Sequence, residues 1–192
     1  MTQKKIIMKK EVLAIFVAIG IVFTINAQES KSGITLGYTS TILRASLSGL
    51  TESESVSGFH IGFFTEFTIN EKTKFVPELN YVRAIQNGAS SNTLYLPLMV
   101  RYYAATKLFF QAGPTLDYII DDEIGLNKFG YGIAFGAGYD VSKRLFITTK
   151  YTIGLNNRLD FDFGDFNGGF PISFSDFTMK FNYWNLGFGY RF

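Results

Sequence analysis

One histidine, His60, and no cysteine bound the chemistry open to this chain of 192 residues. Without cysteine, disulfides, thiolate catalysis and Cys-bound zinc fall together, and neither a His-based triad nor a multi-His metal site is available. His60, expected on the lumenal face near the outer rim, forms with nearby serines the one base and nucleophile set a lipid-modifying enzyme could use, and a polar filler inside a barrel is the plainer reading. The stretch "FGYGIAFGAG" spaces its glycines by two within an alternating segment and leads into no helix, so they make room in a tight wall rather than cradle phosphate. The segment Asn156 to Asp176 is the most individual. Its Asp160, Asp162, Asp165 and Asn167 could collect a divalent cation, but their spacing departs from the Ca²⁺-loop pattern. Its Phe161, Phe163, Phe166 and Phe170 make it a candidate partner-binding loop, with a simple continuation of two strands as a hairpin the competing reading.

The elements that must position these residues follow from composition and period. The chain is 47% hydrophobic and 17% aromatic with 19 glycines, too apolar for disorder. Lys4, Lys5, Lys9 and Lys10 precede the run Val12 to Ile25, and small Ala27 follows, which reads as a cleaved export signal over 1–27 ahead of one domain over 28–192. The run has 14 residues, short of the roughly 20 of a spanning helix. Removing the signal takes 4 of 18 basic and 1 of 16 acidic residues, leaving 14 against 15 and a net charge of −1. Nucleic acid is therefore not an expected partner. The remainder alternates with period 2 and predicts eight strands near 34–43, 58–69, 74–86, 93–103, 107–120, 129–140, 144–155 and 178–192. Short links ("NEKT", "AAT", "VSK") alternate with longer ones at 44–57, 87–92, 121–128 and 156–177, the mark of an up-and-down meander. Pro77, Pro97 and Pro114 fall inside strands, where bulges or rim positions are expected because proline donates no ladder hydrogen bond.

Sorting each strand by parity separates a large apolar face from one rich in Gly, Thr and charge. The sixth strand sets Tyr131, Ile133, Phe135 and Tyr139 against Gly130, Gly132, Gly136 and Gly138. Eight strands enclose too little space for the large face, so it must meet lipid while the small face fills the lumen. The fold expected is all-β, an eight-stranded antiparallel up-and-down transmembrane β-barrel. Its inward face collects Glu66, Glu78, Asp117, Arg101, Lys150 and Arg191, three acids and three bases from six strands, which predicts one connected charge network holding the lumen shut. The closing "LGFGYRF" puts Leu186, Phe188, Tyr190 and Phe192 against lipid, and Arg83 faces outward where it can snorkel to head groups. Lys74 and Asp140, beside the short links, read as turn charges.

The segments "SGFHIGFFTEF", "YLPLMVRYY", "LFFQAGPTLDYII", "FGYGIAFGAGYDV", "KYTIGL" and "LGFGYRF" resemble the PorT-like outer membrane β-barrel family of Gram-negative bacteria over nearly all of the mature chain. The resemblance implies residence in the outer membrane and a C-terminal Phe192 that the barrel-assembly machinery recognises. Some relatives serve secretion and gliding, and no catalytic residue set comes with the family. Both termini and the short turns are expected in the periplasm, with the acidic long loops outside, where a divalent ion could bridge them to lipopolysaccharide. The expected function is that of a non-enzymatic membrane scaffold or interaction protein without cofactor or metal. Its expected partners are outer membrane lipid, lipopolysaccharide, the assembly machinery and an unknown protein. A small passive pore and, less favoured, the lipid-modifying enzyme are the alternatives.

Overall fold

The computed structural model describes residues 30–47, 50–86, 88–121, 125–159 and 177–192. The segment 1–27, expected to be an export signal, lies outside them. Eight strands run β1 (Ser30–Leu47), β2 (Leu50–Asn70), β3 (Thr73–Gln86), β4 (Ala89–Tyr103), β5 (Leu108–Ile119), β6 (Phe129–Asp140), β7 (Leu145–Gly154) and β8 (Thr178–Arg191). Each pairs antiparallel with its sequence neighbour, and β1 pairs with β8 from Gly33↔Arg191 to Ser46↔Thr178, closing the barrel. Closure satisfies every strand edge from within, the condition for backbone in hydrocarbon.

One end, the turn end, carries both β1's start and β8's finish together with the short links. There Asn70 Oδ1 accepts from the Lys72 amide and Ser142 Oγ accepts from the Arg144 and Leu145 amides, so side chains replace missing ladder bonds. The opposite, loop end departs from the expected strand limits. The segment 44–57 reads as a solvated loop, yet β1 and β2 stay paired to Leu47↔Leu50. Likewise 87–92 shrinks to a tight turn, with Gln86↔Ala89 paired and Gly88 at φ 83°. Beyond the membrane neither face needs to be apolar, so the polar stretch "TESES" pairs as a strand without apolar alternation.

The prolines also differ from expectation. None marks a bulge or a rim. The β2–β3 ladder skips the positions opposite Pro77, β3–β4 those opposite Pro97, and β4–β5 those opposite Pro114, while the register on either side is unchanged. Each proline removes hydrogen bonds locally without adding a residue, and the surrounding ladder holds alignment. The single register shift in β2–β3 falls instead at Thr68/Asn70, beside the turn.

Burial follows parity around the ring. Leu36, Ile61, Phe135 and Phe188 on the outer face are each half exposed, whereas Thr35, Glu66, Arg101 and Lys150 on the inner face are buried. A continuous apolar belt of this kind is far larger than the patches a water-soluble surface carries. The inner face is not uniformly small, however: Phe64, Phe109, Phe146, Tyr95 and Tyr183 also point inward. Glycine makes the room, since a Cβ at Gly138 would overlap the Phe109 ring and one at Gly189 the Phe146 ring.

Candidate functional site

The lumen is the one place, among the described residues, where charged side chains are gathered and buried. Near the turn end, β2 aims Glu66 inward. Its Oε1 accepts from Arg101 Nη1 of β4 at 2.5 Å and from Arg191 Nε of β8 at 2.8 Å, and its Oε2 from Lys74 Nζ of β3 at 2.7 Å. Arg191 also reaches Asp140 at 2.9 Å, and Tyr103 donates to the same carboxylate at 3.1 Å. Gln111 accepts from Arg101 at 3.4 Å and donates to Thr148 at 2.9 Å. The guanidinium carbons stack on rings, with Arg101 4.1 Å from the Phe109 centroid and Arg191 4.4 Å from that of Phe146. Two carboxylates thus meet three cations, with both oxygens of Glu66 engaged.

Above this hub lies an apolar layer of Phe64, Val76, Met99, Phe109, Ala134 and Phe146, with Phe64 and Phe146 edge to face at 5.4 Å. Then comes a second charge pair. Lys150 Nζ donates to both oxygens of Glu78, at 2.7 and 2.8 Å, while Asn80 and Thr35 donate to Glu78 Oε1 at 2.9 and 3.3 Å. His60 sits at the same depth, midway along β2 rather than near the outer rim as parity counting suggests. It is 4% exposed, and its Nδ1 lies 2.8 Å from Thr39 Oγ1. Thr39 Oγ1 in turn donates to Asn185 Oδ1 at 2.8 Å. His60 is thus buried among lumenal side chains rather than exposed at the rim.

A second apolar layer, Val82, Tyr95, Ile119, Phe181 and Tyr183, follows toward the loop end. Against it, Asp117 Oδ2 accepts from Arg158 Nη2 at 2.7 Å and from Tyr183 at 3.1 Å. Arg158 is buried, yet its Nε and Nη1 have no partner among the described residues. Gly130 makes space for this pair, because a Cβ there would strike Arg158 Nη1 and Asp117 Oδ1. A shallow mouth of about 230 Å³ opens beyond, lined by residues including Thr41, Leu43, Val82 and Phe181.

The family model of the outer membrane protein beta-barrel domain matches residues 26–160, β1 through β7. The chain belongs to this family. Among solved structures, this outer membrane β-barrel protein is similar to Ail, the attachment invasion locus protein of Yersinia pestis, solved with the heparin analogue sucrose octasulfate (17% identity, 86% of this chain and 100% of that one, TM-score 0.47). It is also similar to Neisserial surface protein A (15% identity, 86% and 100%, TM-score 0.49) and to OprG of Pseudomonas aeruginosa (13% identity, 86% and 97%, TM-score 0.44). No curated protein matches it.

In this barrel the six charges picked out by parity all face the lumen, but hydrogen bonds join them as three groups instead of one network. Glu66, Arg101 and Arg191 form the first, Glu78 and Lys150 the second, and Asp117 pairs with neither. Its partner is Arg158, which lies past the end of β7 where no strand parity applies. Lys74 and Asp140 are not simple turn charges either, since both side chains reach back into the Glu66 hub. Phe192 is exposed at the turn end, its amide bonded to the Ser32 carbonyl and its ring 6.0 Å from Tyr190. The candidate loop residues Asp160, Phe161, Asp162, Phe163, Asp165 and Phe166 lie outside the described residues.

Proposed function

We propose that this outer membrane barrel is a closed, non-conducting scaffold that presents its loop end to a partner outside the cell, with the turn end and both termini in the periplasm. The observation that carries this reading is the lumen itself, crossed by two apolar layers with buried, fully ion-paired carboxylates between and below them. A hydrated path would have to separate Lys150 from Glu78 and part the Phe64, Phe109 and Phe146 rings, and each step costs several kcal/mol. The long β1–β2 and β3–β4 hairpins supply a raised rim for contact. Resemblance to PorT-like barrels makes secretion or another envelope function the context, and Phe192 is the assembly signal in this reading. Purified barrel in a planar bilayer should pass no steady current. Stepwise single-channel currents from the unmodified protein would replace the scaffold with the passive pore. Deleting Phe192 should lower the yield of heat-modifiable barrel, and normal yield would remove its assembly role.

A further inference from the structure

The outer face carries a pair of cations that the lumen does not explain. Arg44 of β1 and Lys180 of β8 are direct cross-strand partners. Both face outward, because their chain neighbours Leu43 and Met179 pack inward on the upper apolar layer. Side chains so paired have Cβ atoms about 5 Å apart, and like charges in that position repel. Neither side chain has a hydrogen bond or ion pair with a described residue, and the residue opposite Arg44 on its other side is Ser53. Nothing acidic among the described residues offsets the repulsion within the wall.

Their height is what gives the pair meaning. Outward residues run from Ile34 to Arg44 on β1 and from Tyr190 to Lys180 on β8, each about ten residues, the length of a strand crossing the hydrocarbon. Both cations therefore stand at the head-group boundary of the loop end. Below them on the same face, midway down the wall, Tyr38 and Trp184 pack edge to face at 5.9 Å, an aromatic surface at the depth of acyl chains. Guanidinium and ammonium side by side suit one phosphate, the first as a fork and the second as a point charge.

We propose that Arg44 and Lys180 clamp a phosphate of a phosphorylated outer-leaflet glycolipid, with its acyl chains lying over Tyr38 and Trp184. The assignment rests on the loop end being external, as the scaffold reading has it. The test uses the full-length barrel in phosphatidylcholine nanodiscs with bisphosphorylated lipid A, dephosphorylated lipid A or phosphatidylglycerol, and counts retained lipid by native mass spectrometry. The double variant Arg44→Gln/Lys180→Gln should bind phosphorylated lipid A about tenfold or more weakly. Binding of the dephosphorylated form should be unchanged, and Lys107→Gln at the turn end should bind like the parent. Equal loss with phosphatidylglycerol, or displacement by millimolar inorganic phosphate alone, would overturn the glycolipid assignment, as would no loss. Heat-modifiable migration shows that the variant is folded. The chain has no cysteine, so Ser53→Cys labelled on intact cells reports sidedness separately, and failure there leaves the binding result to be read by itself.

Discussion

Glu66 and Glu78 are both buried carboxylates on the inner wall, yet their surroundings differ in a way that decides how the barrel tolerates damage. Glu66 answers to three cations from three strands, two of which also stack on phenylalanine rings. Glu78 has one, Lys150, with neutral donors from Asn80 and Thr35. The first arrangement is redundant: any one cation can leave and the carboxylate stays paired. The second is a single contact between β3 and β7 across the full lumen, so losing one member strands the other in a dry interior. Equal charge counts thus give unequal robustness, and mutation can separate them.

The largest effect should come from Lys150→Met, which leaves Glu78 buried without a cation. A loss of about 3 to 5 kcal/mol is expected, read as a lower unfolding midpoint in detergent or lipid. A loss under about 1 kcal/mol would mean that water already reaches the pair. Next in size is a lipid-face standard at mid-height, Phe135→Arg, at about 2 to 4 kcal/mol in a bilayer. A cation on the outer wall finds no partner in lipid, just as Glu78 finds none once Lys150 is replaced, so similar costs would show that the lumen is as dry as the membrane. Arg101→Met should cost less, about 1 to 3 kcal/mol, since Arg191 and Lys74 still hold Glu66 and the loss is chiefly hydrogen bonding and ring contact. If Arg101→Met proves as damaging as Lys150→Met, the redundancy argument fails.

How much of this is legible without the fold follows from what parity can carry. Inside the membrane, lipid on one side and a narrow lumen on the other force strict alternation, so the six inward charges, including Glu66 and Glu78, are readable from period 2 alone. Their partners are not, because which inward residues meet depends on strand stagger, and stagger leaves no trace within one strand. Asp117 shows the limit well: its cation comes from Arg158, beyond the end of β7, where alternation has stopped. Lys74 and Asp140 escape for a related reason, since residues beside turns read as solvent charges although their long or rim-placed side chains fold back. The upper β1–β2 hairpin is hidden because above the membrane no environment imposes a face. The proline positions are legible but their effect is not, as a closed ladder absorbs missing donors without shifting register.

The smallest expected effect is that of removing Asp117 and Arg158 together, the pair that completes the comparison at the loop end. Like Lys150 and Glu78, it is a one-to-one pair, but Arg158 leaves Nε and Nη1 without partners among the described residues, so its burial is poorly compensated. Arg158→Met alone would strand Asp117 beside Tyr183 and should cost about 2 kcal/mol, less than Lys150→Met because the mouth lies close by. Combining it with Asp117→Asn removes both charges, keeps an acceptor for Tyr183 and retires the unsatisfied guanidinium donors. The double variant should then lie within about 1 kcal/mol of the parent, as buried ion pairs replaced together often do. Double-mutant cycles on the two pairs would state the difference directly: a smaller single cost for Arg158→Met than for Lys150→Met, and therefore a smaller coupling for Arg158 with Asp117 than for Lys150 with Glu78. A double variant as unstable as Arg158→Met would show that this pair holds the loop end together by its charge, and that the upper lumen is as firmly locked as the middle.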